Sequence, residues 1–138
     1  MKAKYMVKSV MVSFVLTLIV SSQGVSAEEY VLKAATKKLH QAPLHGVGGK
    51  EMTVIHADLP PKFVGGKHIH PGPVFVYVLE GELTVNLDGE IKIFKAGDLY
   101  AEDINTAMVG ENTSSSDDLE LLIFQVGDIG KSMMIKVE

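Results

Sequence analysis

The chain of 138 residues contains no cysteine and no arginine. Without thiols there are no disulfides, no thiolate nucleophile and no Cys-type zinc site, so an oxidising compartment is tolerated without covalent staples. Arginine forks and a basic stripe are the usual equipment of a nucleic-acid binder. This chain has neither, and its formal charge is −4, which argues against nucleic acid as a partner. Internal repeats and long amphipathic helical periodicities are also missing. No nucleophile–base pairing stands out, and the glycines of Gly46-Val47-Gly48-Gly49 precede a strand pattern rather than the helix that a phosphate cradle needs.

What is present begins with an export pattern. Lys2, Lys4 and Lys8 precede an apolar core from Val10 to Val20, and Val25-Ser26-Ala27 places small residues where a signal peptidase reads. A membrane anchor is the competing reading. A span takes about 20 apolar residues, and this core is shorter, with Ser21, Ser22 and Gln23 behind it. The expectation is a cleaved signal over residues 1–27, a periplasmic or extracellular protein, and no stable membrane anchor after cleavage. The mature chain of 111 residues then carries ten lysines against 17 acids, a formal charge of −7. That length suits one compact domain.

Residues 28–50 are weakly patterned and read as an arm or edge strand; Tyr30 to Leu39 fits a short helix equally well. His40 and His45 within it are expected to be solvated. From Met52 the pattern is β. Met52–Leu59 alternates and stops at Pro60-Pro61, Val74–Leu79 and Leu83–Leu87 flank Glu80-Gly81, and Asp88-Gly89 signals a hairpin returning as Glu90–Phe94. Ala96-Gly97-Asp98 is a further turn before Leu99–Glu102 and Ala107–Val109. A polar loop over Gly110–Asp118 leads to the apolar strand Leu119–Val126. Many short strands punctuated by glycine and proline predict an all-β sandwich or barrel over residues 51–138.

The chemistry concentrates in Gly66-Lys67-His68-Ile69-His70-Pro71-Gly72-Pro73. Histidines at i and i+2 of an extended strand face the same side, where two imidazoles can chelate one metal ion. His68 and His70 are therefore the leading metal-ligand candidates. This stretch, with Tyr77-Val78-Leu79-Glu80-Gly81 after it and Ala96-Gly97-Asp98 further on, resembles the two motifs of the cupin superfamily, in a similarity spanning about residues 50 to 127. The resemblance implies a jelly-roll β-barrel with a small-molecule pocket, commonly a homodimer.

The resemblance also has gaps. Where the family carries a glutamate ligand this chain has Val74, and where it carries a third histidine this chain has Met108, although Asn112 matches the asparagine that ends the second motif. Candidate third ligands are Glu102, His56 and Met108. An imidazole–carboxylate set would suit Fe, Mn, Ni or Zn, whereas a His68–His70–Met108 set would suit Cu, because a thioether prefers the softer ion. Methionine is also an ordinary filler of apolar cavities. Val74, Phe75, Tyr77, Tyr100 and Met108 are the expected pocket wall. Three functions stay open: a metal-assisted enzyme of oxygenase or isomerase type, a binding or sensing module that has lost its metal, and a copper-handling protein.

Overall fold

The computed structural model describes residues 33–138, so the export pattern lies outside the described residues. Ten strands and no helix form among them: β1 (Ala35–Pro43), β2 (Lys50–Leu59), β3 (His68–Ile69), β4 (Val74–Glu80), β5 (Glu82–Leu87), β6 (Glu90–Lys95), β7 (Leu99–Glu102), β8 (Val109–Glu111), β9 (Leu119–Asp128) and β10 (Ile135–Lys136). Five of them build one antiparallel sheet in the order β1-β2-β9-β4-β7. Opposite it lie the three-stranded sheet β6-β5-β8 and the pair β10-β3. Isolated bridges Val64↔Glu111 and His68↔Met108 link the β3 segment to the β8 segment, so the second layer is effectively continuous. The architecture is an all-β jelly roll.

Local chemistry sets the corners. Asp88 and Gly89 both take positive φ, 50° and 103°, and join β5 to β6 with Leu87 opposite Glu90. That is the mirror-image two-residue turn that Asp-Gly favours. Gly81 has φ 81°, and a Cβ there would lie 2.6 Å from the Asp118 carbonyl, so the β4–β5 corner requires glycine twice over. Asn112 is 2% exposed. Its amide donates to the carbonyls of Leu59, Pro60 and Asp117 while its Oδ1 accepts from the Ser114 backbone N–H. One side chain thus pins the end of β2 to the loop before β9.

The strand expected over Ala107–Val109 is displaced to Val109–Glu111, because these residues pair with Thr84–Asn86 while Met108 pairs with His68 instead. In the 28–50 segment, residues 35–43 form the edge strand β1, paired along β2.

Alternation divides the layers. On β4, Val74, Val76 and Val78 point inward at 1%, 3% and 0% exposure, while Phe75, Tyr77 and Leu79 face out. On β2, Ala57 and Leu59 are buried and Asp58 is not. Leu119 and Leu121 of β9 meet Leu83 and Val85 of β5 in the same core cluster. The core is hollow at one end. There both layers wall a half-open cavity of about 280 Å³.

Candidate metal centre and ligand cavity

The short β3 strand holds the two histidines by exchanging backbone hydrogen bonds across the barrel mouth: His68 N–H donates to the Met108 carbonyl (3.0 Å) and Met108 N–H to the His68 carbonyl (2.9 Å). The side chains converge, with His68 Nε2 3.1 Å from His70 Nε2 and the rings edge to face. Each Nδ1 lies against a backbone carbonyl, His68 on Gly66 (2.7 Å) and His70 on Met133 of the C-terminal segment. A carbonyl only accepts, so each Nδ1 must carry the ring proton. Both Nε2 atoms are therefore bare lone pairs when the rings are neutral. Burial, with a smaller contribution from His68, holds His70 below the ordinary histidine range despite the opposing effect of the Met133 carbonyl.

Glu102 supplies a third acceptor. Its Oε2 is 3.0 Å from His70 Nε2, with side-chain exposures of 9% and 4%. That length suits a hydrogen bond, yet Oε2 has no donor among the described residues: an ionised carboxylate and a bare Nε2 share no proton. Burial pushes the Glu102 carboxyl up to about 7. His68 Nε2, His70 Nε2 and Glu102 Oε2 thus form a chain of electron-pair donors with no proton between them. Only a cation, or an added proton, makes that arrangement favourable. The carbonyls behind both Nδ1 atoms are the outer-shell partners that fix ligating imidazoles.

The register explains the missing glutamate. Val74 on β4 is the direct cross-strand partner of Glu102 on β7. Opposed residues in an antiparallel pair have Cβ atoms about 5 Å apart, so Glu102 offers a carboxylate one strand across from Val74, and it is on the cavity lining. Among the candidate third ligands, Glu102 is the one the fold brings to His70. Met108 is 2% exposed and lines the cavity beside His68.

His56 is a correction. It points out of the barrel because Ala57 and Leu59 take the inward positions of β2, and its ring sits between Asp58 (3.7 Å) and Glu120 (3.5 Å) on the outer face. It belongs to a separate His56–Asp58–Glu120 cluster and cannot complete the inner set.

Four of the five expected wall residues also change place. Phe75 and Tyr77, 40% and 37% exposed, face solvent on the outer side of the five-stranded sheet, since a one-residue step along a strand reverses the face. Val74 is buried in the core but not on the cavity lining. Tyr100 is buried, stacked on Phe94 at 4.5 Å, and it too is off the lining. Burial, then the charges of Glu102, Asp103 and Glu90, push the Tyr100 hydroxyl up to about 12, so it stays protonated. Residues not singled out from the sequence make most of the wall: Leu59, Val76, Leu83, Val85, Leu121 and Ile123. Gln125 and Lys136 add polar groups. Period-2 patterning of β9 could have indicated Gln125, one polar inward position in an apolar strand. Lys136 carried no such signal.

The profile described as "Cupin domain" matches residues 55–124, which include every residue of the inner cluster. No curated protein matches the chain. Solved structures do. A cupin superfamily protein from Desulfitobacterium hafniense DCB-2 superposes with a TM-score of 0.58 at 10% identity, over 70% of this chain and 79% of that one. KdgF from a Halomonas species gives 0.53 at 21% identity, over 66% and 76%. The DMSP lyase DddQ from Ruegeria pomeroyi DSS-3 gives 0.58 at 15% identity, over 75% of this chain and 51% of that one. At these identities the likeness is one of fold.

Proposed function

We propose, for a chain that belongs to the cupin family, that it binds a small molecule in the barrel cavity against a divalent metal ion held by His68, His70 and Glu102. The observation that carries this reading is the row of three acceptor atoms, half-buried at His68 and buried at His70, with neighbours 3.1 and 3.0 Å apart and no proton between them. Its two ends, His68 and Glu102, stand more than 4.8 Å apart, so a side chain turns when the set closes on one ion. Two imidazoles and one carboxylate suit Mn, Fe, Ni or Zn and leave coordination positions open. Such an ion, when bound, polarises a substrate oxygen as a Lewis acid.

The chain's own residues do the rest. Gly66 and Met133 orient the rings through Nδ1. Glu102 offsets part of the ion's charge, and the apolar wall gives a ligand body a surface to pack against. Similar folds are described as a lyase in one case, which supports small-molecule chemistry as the class without choosing a reaction.

A second reading has its own support. With its carboxyl raised to about 7, Glu102 can hold a proton near neutrality and donate it to His70 Nε2, satisfying the cluster with no metal. Val74 and Met108 are drier than the family ligands they replace. This reading makes the protein a binding or sensing cupin. Divalent-ion titration of chelator-treated protein separates the two. The metal reading expects saturable stabilisation by one of Mn, Fe, Ni or Zn that disappears in His70→Ala. Indifference to every ion favours the metal-free module, and stabilisation by Cu(I) alone, lost in Met108→Ala, favours copper handling.

The reading extends to export and pairing. The Lys2–Ala27 pattern supports a periplasmic or extracellular protein. Phe75, Tyr77, Leu79 and Leu99, 40%, 37%, 39% and 59% exposed, give the outer face of the five-stranded sheet an apolar surface suited to a second barrel.

A further inference from the structure

Gln125 is a cavity group that neither the fold nor the metal set accounts for. It is 9% exposed and lines the cavity from β9, and its side-chain amide makes no hydrogen bond among the described residues. Its polar end is a feature of the cavity surface. Its inward cross-strand neighbours are Thr53 on β2 and Val74 on β4, and the partner of Val74 is Glu102. Gln125 and Glu102 therefore stand in one row two strands apart, about 10 Å between Cα atoms at the usual strand spacing, with only the short Val74 between them. Most of the remaining wall is hydrocarbon, with Ala57, Leu59, Val76, Leu83, Leu121 and Ile123 among others, and Thr36 and Lys136 are its further polar side chains.

We infer that Gln125 reads the head group of the ligand, and that the ligand is a short monocarboxylate with an apolar body. The inference rests on the cavity being the ligand site. A primary amide offers two N–H donors and one acceptor, so it can donate to a carboxylate oxygen that also faces the His68–His70–Glu102 set. Two neutral imidazoles and one carboxylate leave a divalent ion one net positive charge, which a single monoanion balances. Lys136 lines the cavity as well and adds a cation on an otherwise acidic chain. A sugar fits poorly. Its several hydroxyls would be buried against leucine, isoleucine and valine without partners. Size agrees, since about 280 Å³ corresponds to roughly nine waters at about 30 Å³ each, the scale of benzoate or hexanoate.

The test is calorimetric titration of benzoate, hexanoate and glucose into the mature protein and into Gln125→Leu, each zinc-loaded and chelator-treated, with metal content and melting temperature recorded. The expected result is binding of both carboxylates at least tenfold tighter than glucose. Gln125→Leu should weaken carboxylate binding tenfold or more and leave both the metal content and the melting temperature of the unliganded protein unchanged, because the amide opens onto the cavity rather than into packed core. Unchanged carboxylate affinity in Gln125→Leu, tighter binding of glucose, or no carboxylate binding overturns the inference. A variant that melts lower with ligand affinity intact also overturns it, by making Gln125 a structural residue. If zinc does not bind yet Gln125→Leu still abolishes carboxylate binding, the role of Gln125 stands and the metal reading alone fails.

Discussion

Replacing Glu102 by glutamine keeps the size of the side chain and removes its charge, so it measures what that buried carboxylate costs. In the folded, metal-free protein the carboxyl titrates near 7 instead of 4.5. Between those values the folded state keeps a proton that the unfolded chain has released. Stability therefore falls as pH rises through this window, and the loss is complete above about 7. At about 1.4 kcal/mol per pH unit the penalty is about 3 kcal/mol. For a domain of this size that is roughly 10 °C in melting temperature. His70 works the other way: its lowered value makes the protein lose stability as pH falls below the ordinary histidine range. Glu102→Gln keeps the burial of His70 but replaces the group 3.0 Å from its Nε2, so the difference between the two proteins reports the Glu102–His70 pair.

Melting curves of chelator-treated wild type and Glu102→Gln from pH 4.5 to 8 are the assay. The curves should nearly coincide at the acid end, and the variant should be the more stable by about 3 kcal/mol at pH 8. A saturating divalent ion at pH 8 should reverse the order, because the wild type gains an ion that the variant holds poorly. A variant equal to or less stable than wild type at pH 8 without metal would refute the reasoning, since Glu102 would then be satisfied by a partner in the protein.

Two further outcomes test the frame around the site. Asn112→Ala strips three carbonyls of their donor in a buried position, and a loss of about 3 kcal/mol in denaturant unfolding is expected; a loss below about 1 kcal/mol would show that water takes over the clamp. Phe75→Asp combined with Tyr77→Asp places two charges on the outer sheet face. Light scattering should report a dimer for the parent and a monomer for the variant, with the inner cluster's metal content unchanged.

How far the sequence reveals this site depends on whether a feature is local. Asp88-Gly89 encodes its turn in two residues, and His68-Ile69-His70 encodes a shared face by period alone, so both are legible. Val74-Phe75-Val76-Tyr77-Val78 is apolar on both faces. Alternation then says that two faces exist and not which one is inside, and it is the valines, not Phe75 and Tyr77, that hold the inner side. His56 fails for the same reason: its direction is fixed by Ala57 and Leu59, which bury on the other face. Glu102 could be named as a candidate but not chosen, because its position opposite Val74 is a property of the β4–β7 register, set by the whole sheet. The Met133 carbonyl behind His70 lies 63 residues away along the chain, and no short-range pattern announces it.

The central claim is most directly met by elemental analysis of the protein purified without chelator or immobilised nickel. The account predicts about one equivalent of Mn, Fe, Ni or Zn per chain, lost in His70→Ala and in Glu102→Gln and retained in Met108→Ala. No metal in the wild type even after reconstitution, or an ion whose retention depends on Met108 and not on Glu102, would contradict it.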